Sequence, residues 1–162
     1  MAIHMEYEGI KGSVTATGYE GMIDLRYCKF ETYRAVSMKS GELANREYTK
    51  PTFGTMLIGK KLDAASAGLM REVFAGAAGK RVTLHFVHTG NNQLQDYMTL
   101  TFEQCLPNSF QLIGMGYDGG TPVERLCLSY TSVVVSYFDH GEDNKIRSVH
   151  RHGYDLVLAK NL

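Results

Sequence analysis

The sequence predicts a mainly β fold, a sandwich or barrel of antiparallel strands that carries a single helix. Three observations predict it. Runs in which apolar and polar residues alternate recur along the chain between turn signals, the pattern of strands that bury one face. One stretch, Asp63 to Ala77, instead repeats its apolar residues at helical spacing. The length, 162 residues, fits one domain spanning residues 1–162, and a chain of this size buries about 70% of its unfolded surface, so its core needs no disulfide or structural metal.

The first element sets Ile3, Met5 and Tyr7 against His4, Glu6 and Glu8. It is a strand, and it lacks the apolar core of a signal peptide. Met22 to Phe30 predicts a second strand with Ile23, Leu25 and Tyr27 on one face and Asp24 and Arg26 on the other. Lys39 to Lys50, KSGELANREYTK, is polar and too long for a tight hairpin; it is either a solvated loop or a contact arm. Thr52 to Ile58 resumes as a strand. Asp63 is placed to cap a helix of about four turns, in which Leu69, Met70, Val73, Phe74 and Ala77 form the apolar face and Gly76 and Gly79 supply the stop. Such a face must lie on a sheet or on the open end of a barrel.

Four strand runs come next: Arg81 to His88, Tyr97 to Leu106, Ser109 to Met115, and a long one from Glu124 to Phe138. In the last, Leu126, Leu128 and Tyr130 align, then Val133, Val134 and Val135 break the alternation. That strand is therefore bulged or covered on both faces, and in so small a domain the second cover would come from a neighbouring subunit.

Charge narrows the function. Lys plus Arg is 17 and Asp plus Glu is 17, a formal net charge of +0, with no basic run to track a phosphate backbone, so nucleic acid is not expected as a partner. A neutral chain does not repel its own copies over distance, which suits self-assembly as well as an ordinary soluble protein. No apolar run approaches the ~18 residues that span a bilayer. No membrane insertion is expected, and any export would bypass the general secretory route. Cys28, Cys105 and Cys127 are odd in number and far apart; they read as buried reduced thiols of a chain that folds in a reducing compartment.

The chemical motifs nominate no catalytic residue, cofactor or metal. Gly114, Gly116 and Gly119 spell G-x-G-x-x-G, but Gly120, Thr121, Pro122 and a strand come after them where a dinucleotide site needs a helix, so the glycines mark a hairpin loop. His85 and His88 are three apart on a strand and face opposite ways. His150 and His152 could share a face, without a third ligand at a telling spacing. Asp139, Glu142 and Asp143 lack the ligand alternation of a calcium loop and read as a solvated turn. No G-x-S-x-G elbow appears.

The block LIGKKLDAASAGLMREVFAGAAGKRVTLHFVHTG, Leu57 to Gly90, resembles the strand, helix and strand of Hcp, the haemolysin-coregulated protein family that forms the inner tube of type VI secretion systems. Lys60, Lys61, Asp63 and Ser66 match the family's lysine-rich strand end and its Asp-x-x-Ser. The tail YFDHGEDNKIRSVHRHGYDLVLAK, Tyr137 to Lys160, is similar to the family's ending, with Asp143, Asn144 and Lys145 before Gly153, Tyr154 and Asp155, and Glu8 to Thr15, EGIKGSVT, matches its opening strand and turn. Cys28 to Ala35 departs from it. The resemblance implies a small β-barrel of two packed sheets with one helix, closing into a homo-hexameric ring that stacks into a tube. It implies as partners a contractile sheath, a spike protein and small effectors carried or stabilised in the ring lumen. By the same resemblance the loop that reaches the adjacent ring is Gly41, Glu42, Leu43, Ala44, Asn45, Arg46 and Glu47, and the subunit is no enzyme, assembled in the bacterial cytoplasm and then secreted. Read without the resemblance, the strands also allow a small-ligand-binding β-barrel, and His150 with His152 a metal enzyme.

Overall fold

The computed structural model describes residues 1–37, 47–90, 93–114, 116 and 120–162. Among them the strands are β1 (Ala2–Tyr7), β2 (Ile23–Leu25), β3 (Tyr27–Lys29), β4 (Thr32–Tyr33), β5 (Val36–Ser37), β6 (Glu47–Tyr48), β7 (Thr52–Phe53), β8 (Met56–Lys61), β9 (Lys80–Gly90), β10 (Gln93–Ile113), β11 (Val123–Ser129), β12 (Ser132–His140), β13 (Ile146–Asp155) and β14 (Lys160–Asn161). The helix, α1 (Ser66–Ala75), lies between β8 and β9.

The strands form two antiparallel sheets that share β10. Its first half pairs with β9 and β12, extending a sheet that runs β2, β1, β9, β10, β12, β13, β14; its second half pairs with β11, starting a sheet that runs β10, β11, β8, β3. The two separate runs expected at Tyr97–Leu106 and Ser109–Met115 are thus one strand of 21 residues. What looked like a break is the place where β10 changes partners. The register against β9 shifts between Phe102 and Cys105, and that against β11 between Pro107 and Ser109, where proline has no N–H to give. Gln104 sits at φ 52, the bulge conformation, and Gly79 faces it so closely that a Cβ there would stand 2.6 Å from the Gln104 Cα. Gly79 is therefore required by the bulge; it was expected to stop the helix.

The sheets do not close into the expected barrel. At the far side the chain passes from one sheet to the other at Arg26: β2 pairs with β1, β3 pairs with β8, and no ladder joins β2 to β3. The crossing shifts the pleat by one residue. Ile23 and Leu25 point into the core, but Cys28 and Phe30 are the next to pack against it, and Tyr27, expected in line with Ile23 and Leu25, lies on the other face with its ring over Gly59. The run from Glu124 to Phe138 is likewise broken, at Tyr130 and Thr131, because β11 and β12 accompany different halves of β10. Val133 is buried and Val134 and Val135 half-buried, so this copy alone does not cover both faces.

The helix is shorter than its periodicity suggested. It begins at Ser66, with Ala65 as N-cap and no side-chain cap, and ends at Ala75 before Gly76. Ala65 and Leu69 enter the core beside Met5, Ile58, Phe102 and Leu126, whereas Phe74 is 78% exposed and Ala77 lies past the end. The apolar face is thus narrower than the sequence implied. Cys105 is buried and Cys28 and Cys127 half-buried, all three as free thiols, and burial pushes the Cys105 thiol up to about 12.

Gly79→Ala should cost about 1–3 kcal/mol, the range for overpacking a tight contact. Chemical denaturation checks this: the midpoint should fall with an unchanged slope.

Candidate functional site

Two features stand out above the ordinary core, a buried polar knot and a two-stranded arm. The knot begins with strand pairing. Lys60 and Glu124 are directly opposed across β8 and β11, and Lys60 shares the inward face of β8 with Met56 and Ile58. Both side chains are 1% exposed. The Lys60 ammonium donates to Glu124 Oε2 at 2.5 Å and to the Lys61 carbonyl at 2.8 Å, and stands 2.7 Å from Asp63 Oδ1 and 3.1 Å from Ser66 Oγ. Ser66 Oγ in turn donates to Glu124 at 2.9 Å and accepts the Asp63 N–H at 3.0 Å, while Asp63 Oδ1 accepts the Ala65 N–H. The Asp63-x-x-Ser66 spacing is therefore a reciprocal turn that leads into the helix, and its acceptors close around a lysine from the preceding strand. Asp63 spends its carboxylate on that turn and on Lys60, which is why it does not cap the helix.

One ammonium meeting two carboxylates in the interior is costly to break, because whichever partner is left keeps an uncompensated charge away from water. Sequence reasoning named Lys60, Asp63 and Ser66 and missed Glu124. Its signal was a charged residue on the inward parity of β11, two before Leu126.

The second feature is the arm. β4 pairs with β7 and β5 with β6, so the chain leaves the body after Phe30 and returns at Gly54 as one two-stranded ribbon. Thr49 N donates to the Ala35 carbonyl, Gly54 N to that of Glu31, and Thr32 Oγ1 to that of Thr52. Residues Glu31 to Val36 are exposed on both faces of the ribbon, Tyr33 and Val36 among them. Its root is aromatic. Phe30 packs edge-on to Phe102, Phe53 stacks on Tyr154 at 5.0 Å, and the Tyr130 hydroxyl donates to the Gly54 carbonyl at 2.8 Å. Of the expected contact loop, Gly41, Glu42, Leu43, Ala44, Asn45 and Arg46 lie outside the described residues, and Glu47 opens β6, opposite Ser37.

The remaining candidates stay apart. His150 and His152 lie on the exposed β13, where His150 meets Ser148 Oγ at 3.1 Å, and His85 pairs with Asp96 while His88 stacks on Tyr97. Among the described residues no group of three His, Cys, Asp or Glu comes together as a metal site. The space between the sheets is filled by core side chains such as Met5, Phe102 and Leu128, which weighs against a ligand-binding interior.

The family described as "Type VI secretion system effector, Hcp" matches the chain over residues 4–137. No curated protein matches it. Among solved structures, one described as a type six secretion system protein superposes with a TM-score of 0.90 at 17% identity, covering 99% of each chain. Hcp1 from Salmonella typhimurium superposes at 0.78 with 20% identity over 99% of this chain and 98% of its own. A type VI secretion system effector from Yersinia pestis gives 0.73 at 16% identity, covering 94% and 98%. At these identities the likeness is one of fold.

Lys60→Met should cost about 3–5 kcal/mol by stranding Glu124 and Asp63, and Lys60→Met with Glu124→Leu should recover part of that loss. Urea denaturation of the two variants measures it.

Proposed function

The chain belongs to the Hcp family of type VI secretion system proteins, and on that premise we propose that it is a structural subunit of the secretion tube, residues 1–162 acting as one domain. In this reading copies close into six-membered rings, rings stack, and small effector proteins ride in the lumen while a sheath drives the tube and a spike protein tips it. The subunit is made in the bacterial cytoplasm and then secreted, and no residue is assigned a catalytic role.

The family match over residues 4–137 carries the proposal, and two features of the surface support it. A ring needs two complementary patches on each copy and a stack needs a further one. The β13 edge is one candidate patch: among the described residues β14 pairs with Tyr154 and Asp155 and Leu162 N donates to the Gly153 carbonyl, leaving Ile146 to His152 with an open ladder edge that carries exposed Ile146 and Val149. The arm is another. An isolated two-stranded ribbon is marginal in water, so one exposed on both faces gains from a surface supplied by another copy.

Electron microscopy of the purified protein should show six-fold rings; a strictly monomeric species at high concentration, by light scattering, would sink the reading. Deleting Gly41–Arg46, which spares the rung between Ser37 and Glu47, should leave single rings intact and shorten the stacks. Stacks of unchanged length would count against the arm as the stacking element.

A further inference from the structure

Between β1 and β2 the segment Lys11–Met22 folds into its own small hairpin. Gly12 N donates to the Gly21 carbonyl, Gly21 N to that of Val14, Val14 N to that of Met22, and Tyr19 N closes the turn on Ala16. Tyr19 fastens this hairpin to the outer face of the sheet. Its hydroxyl donates to Asp96 Oδ1 at 2.9 Å, and the other oxygen of that carboxylate meets His85 Nδ1 at 2.8 Å. Beneath the Tyr19 ring, with centroids 5.5 Å apart, lies His4, only 6% exposed.

The charged and titratable groups around His4 come from each neighbouring element. Asp24 on β2 approaches Nδ1 to 3.4 Å, yet that nitrogen makes no hydrogen bond; His85 on β9 is directly opposed to His4, Asp96 reaches in from β10, Tyr19 covers it, and Glu6 is next along the same face of β1. Burial lowers the His4 pKa below that of a free imidazole; Asp24 opposes the shift, His85 adds to it, and Asp96 opposes it. A buried nitrogen of each opposed histidine, His4 Nδ1 and His85 Nε2, lacks a partner.

We propose that the Lys11–Met22 hairpin is an acid-released flap: a proton on His4 lifts Tyr19 and the hairpin from β1 and β9 while the rest of the fold stays closed. Linkage sets the sign. With its folded pKa below the ordinary value, neutral His4 contributes stability that is present above about pH 6.5 and is lost as pH falls through the folded pKa, since the opened, hydrated imidazole binds the proton more readily. The same linkage governs a local opening. All 6 histidines lie on strands of one sheet: His4 on β1, His85 and His88 on β9, His140 on β12, His150 and His152 on β13, and the rings of His88 and His140 are 4.9 Å apart. The flap is a device within one copy and is independent of the tube reading.

Native-state amide exchange on the full chain, corrected for intrinsic rates, tests it between pH 7.5 and 5.5. Protection at Val14, Tyr19 and Gly21 should fall by at least about threefold at the lower pH while β11 amides keep theirs. Tyr19→Phe should already lower flap protection at pH 7.5, and His4→Gln should make it independent of pH. Equal wild-type protection at the two pH values, or a His4→Gln variant that keeps the wild-type dependence, would overturn the proposal. Should His4→Gln not fold, the imidazole titrations of the wild type serve instead: the opening midpoint must coincide with the titration of His4, and a midpoint that tracks another histidine overturns it equally.

Discussion

The constraint on which the rest depends is the need of one buried ammonium for partners. Lys60 points inward because β8 puts every second residue there, and at that depth its charge must be matched. Glu124 supplies the match only if β11 lies beside β8 in one register, and Asp63 and Ser66 supply it only if the chain turns sharply after Lys61. The knot therefore sets strand register and helix entry together. It need not make the fold more stable than an apolar replacement would, since buried pairs are often matched by well-packed hydrophobic residues. Its effect is a heavy penalty on every arrangement that leaves the lysine alone.

A second constraint is geometric. One strand, β10, serves both sheets, and its bulge at Gln104 and break at Pro107 let it serve them in succession. On the opposite side the sheets are linked by the chain at Arg26 in place of a ladder, so the layers enclose a filled core without closing into a barrel. This arrangement leaves polar backbone and apolar side chains at the outside, along β13 and on the arm rooted in Phe30, Phe53 and Tyr154. For a member of a family of secretion-system proteins, those surfaces are where function is to be sought, since core side chains such as Met5, Phe102 and Leu128 fill the space between the sheets.

Much of this was legible in the residues. Alternation located β1, β9 and β11, and the run from Thr52 to Ile58 reached half of β8, because each sends a row of apolar side chains into the core. The helix was legible at Leu69 and Val73, but its ends were not: Asp63 has the chemistry of a cap and was drawn off by Lys60, a residue that periodicity treats as surface. Phe74 was assigned to the buried face by spacing and is exposed, since the helix meets β10 along a narrow line. The partner change within β10 and the hand-over between β11 and β12 were hidden for one reason. A pattern of alternating residues records which face is buried and says nothing about which strand lies alongside.

Although alternation marked no strand after Phe138, where β13 lies, the sequence by itself determined the mainly β fold class, most other strands of the body, the single helix and, through Lys60, Asp63 and Ser66 within the matched stretch, the family. These are properties of local spacing and of residues near one another in the chain. Only the tertiary structure decided that the sheets stay open, that Glu124 completes the knot from 64 residues away, and that Tyr19, Asp96, His85 and His4 form one cluster on the outer face. Each of these rests on contacts between elements distant in sequence, which the register of a sheet specifies and the period of a strand does not.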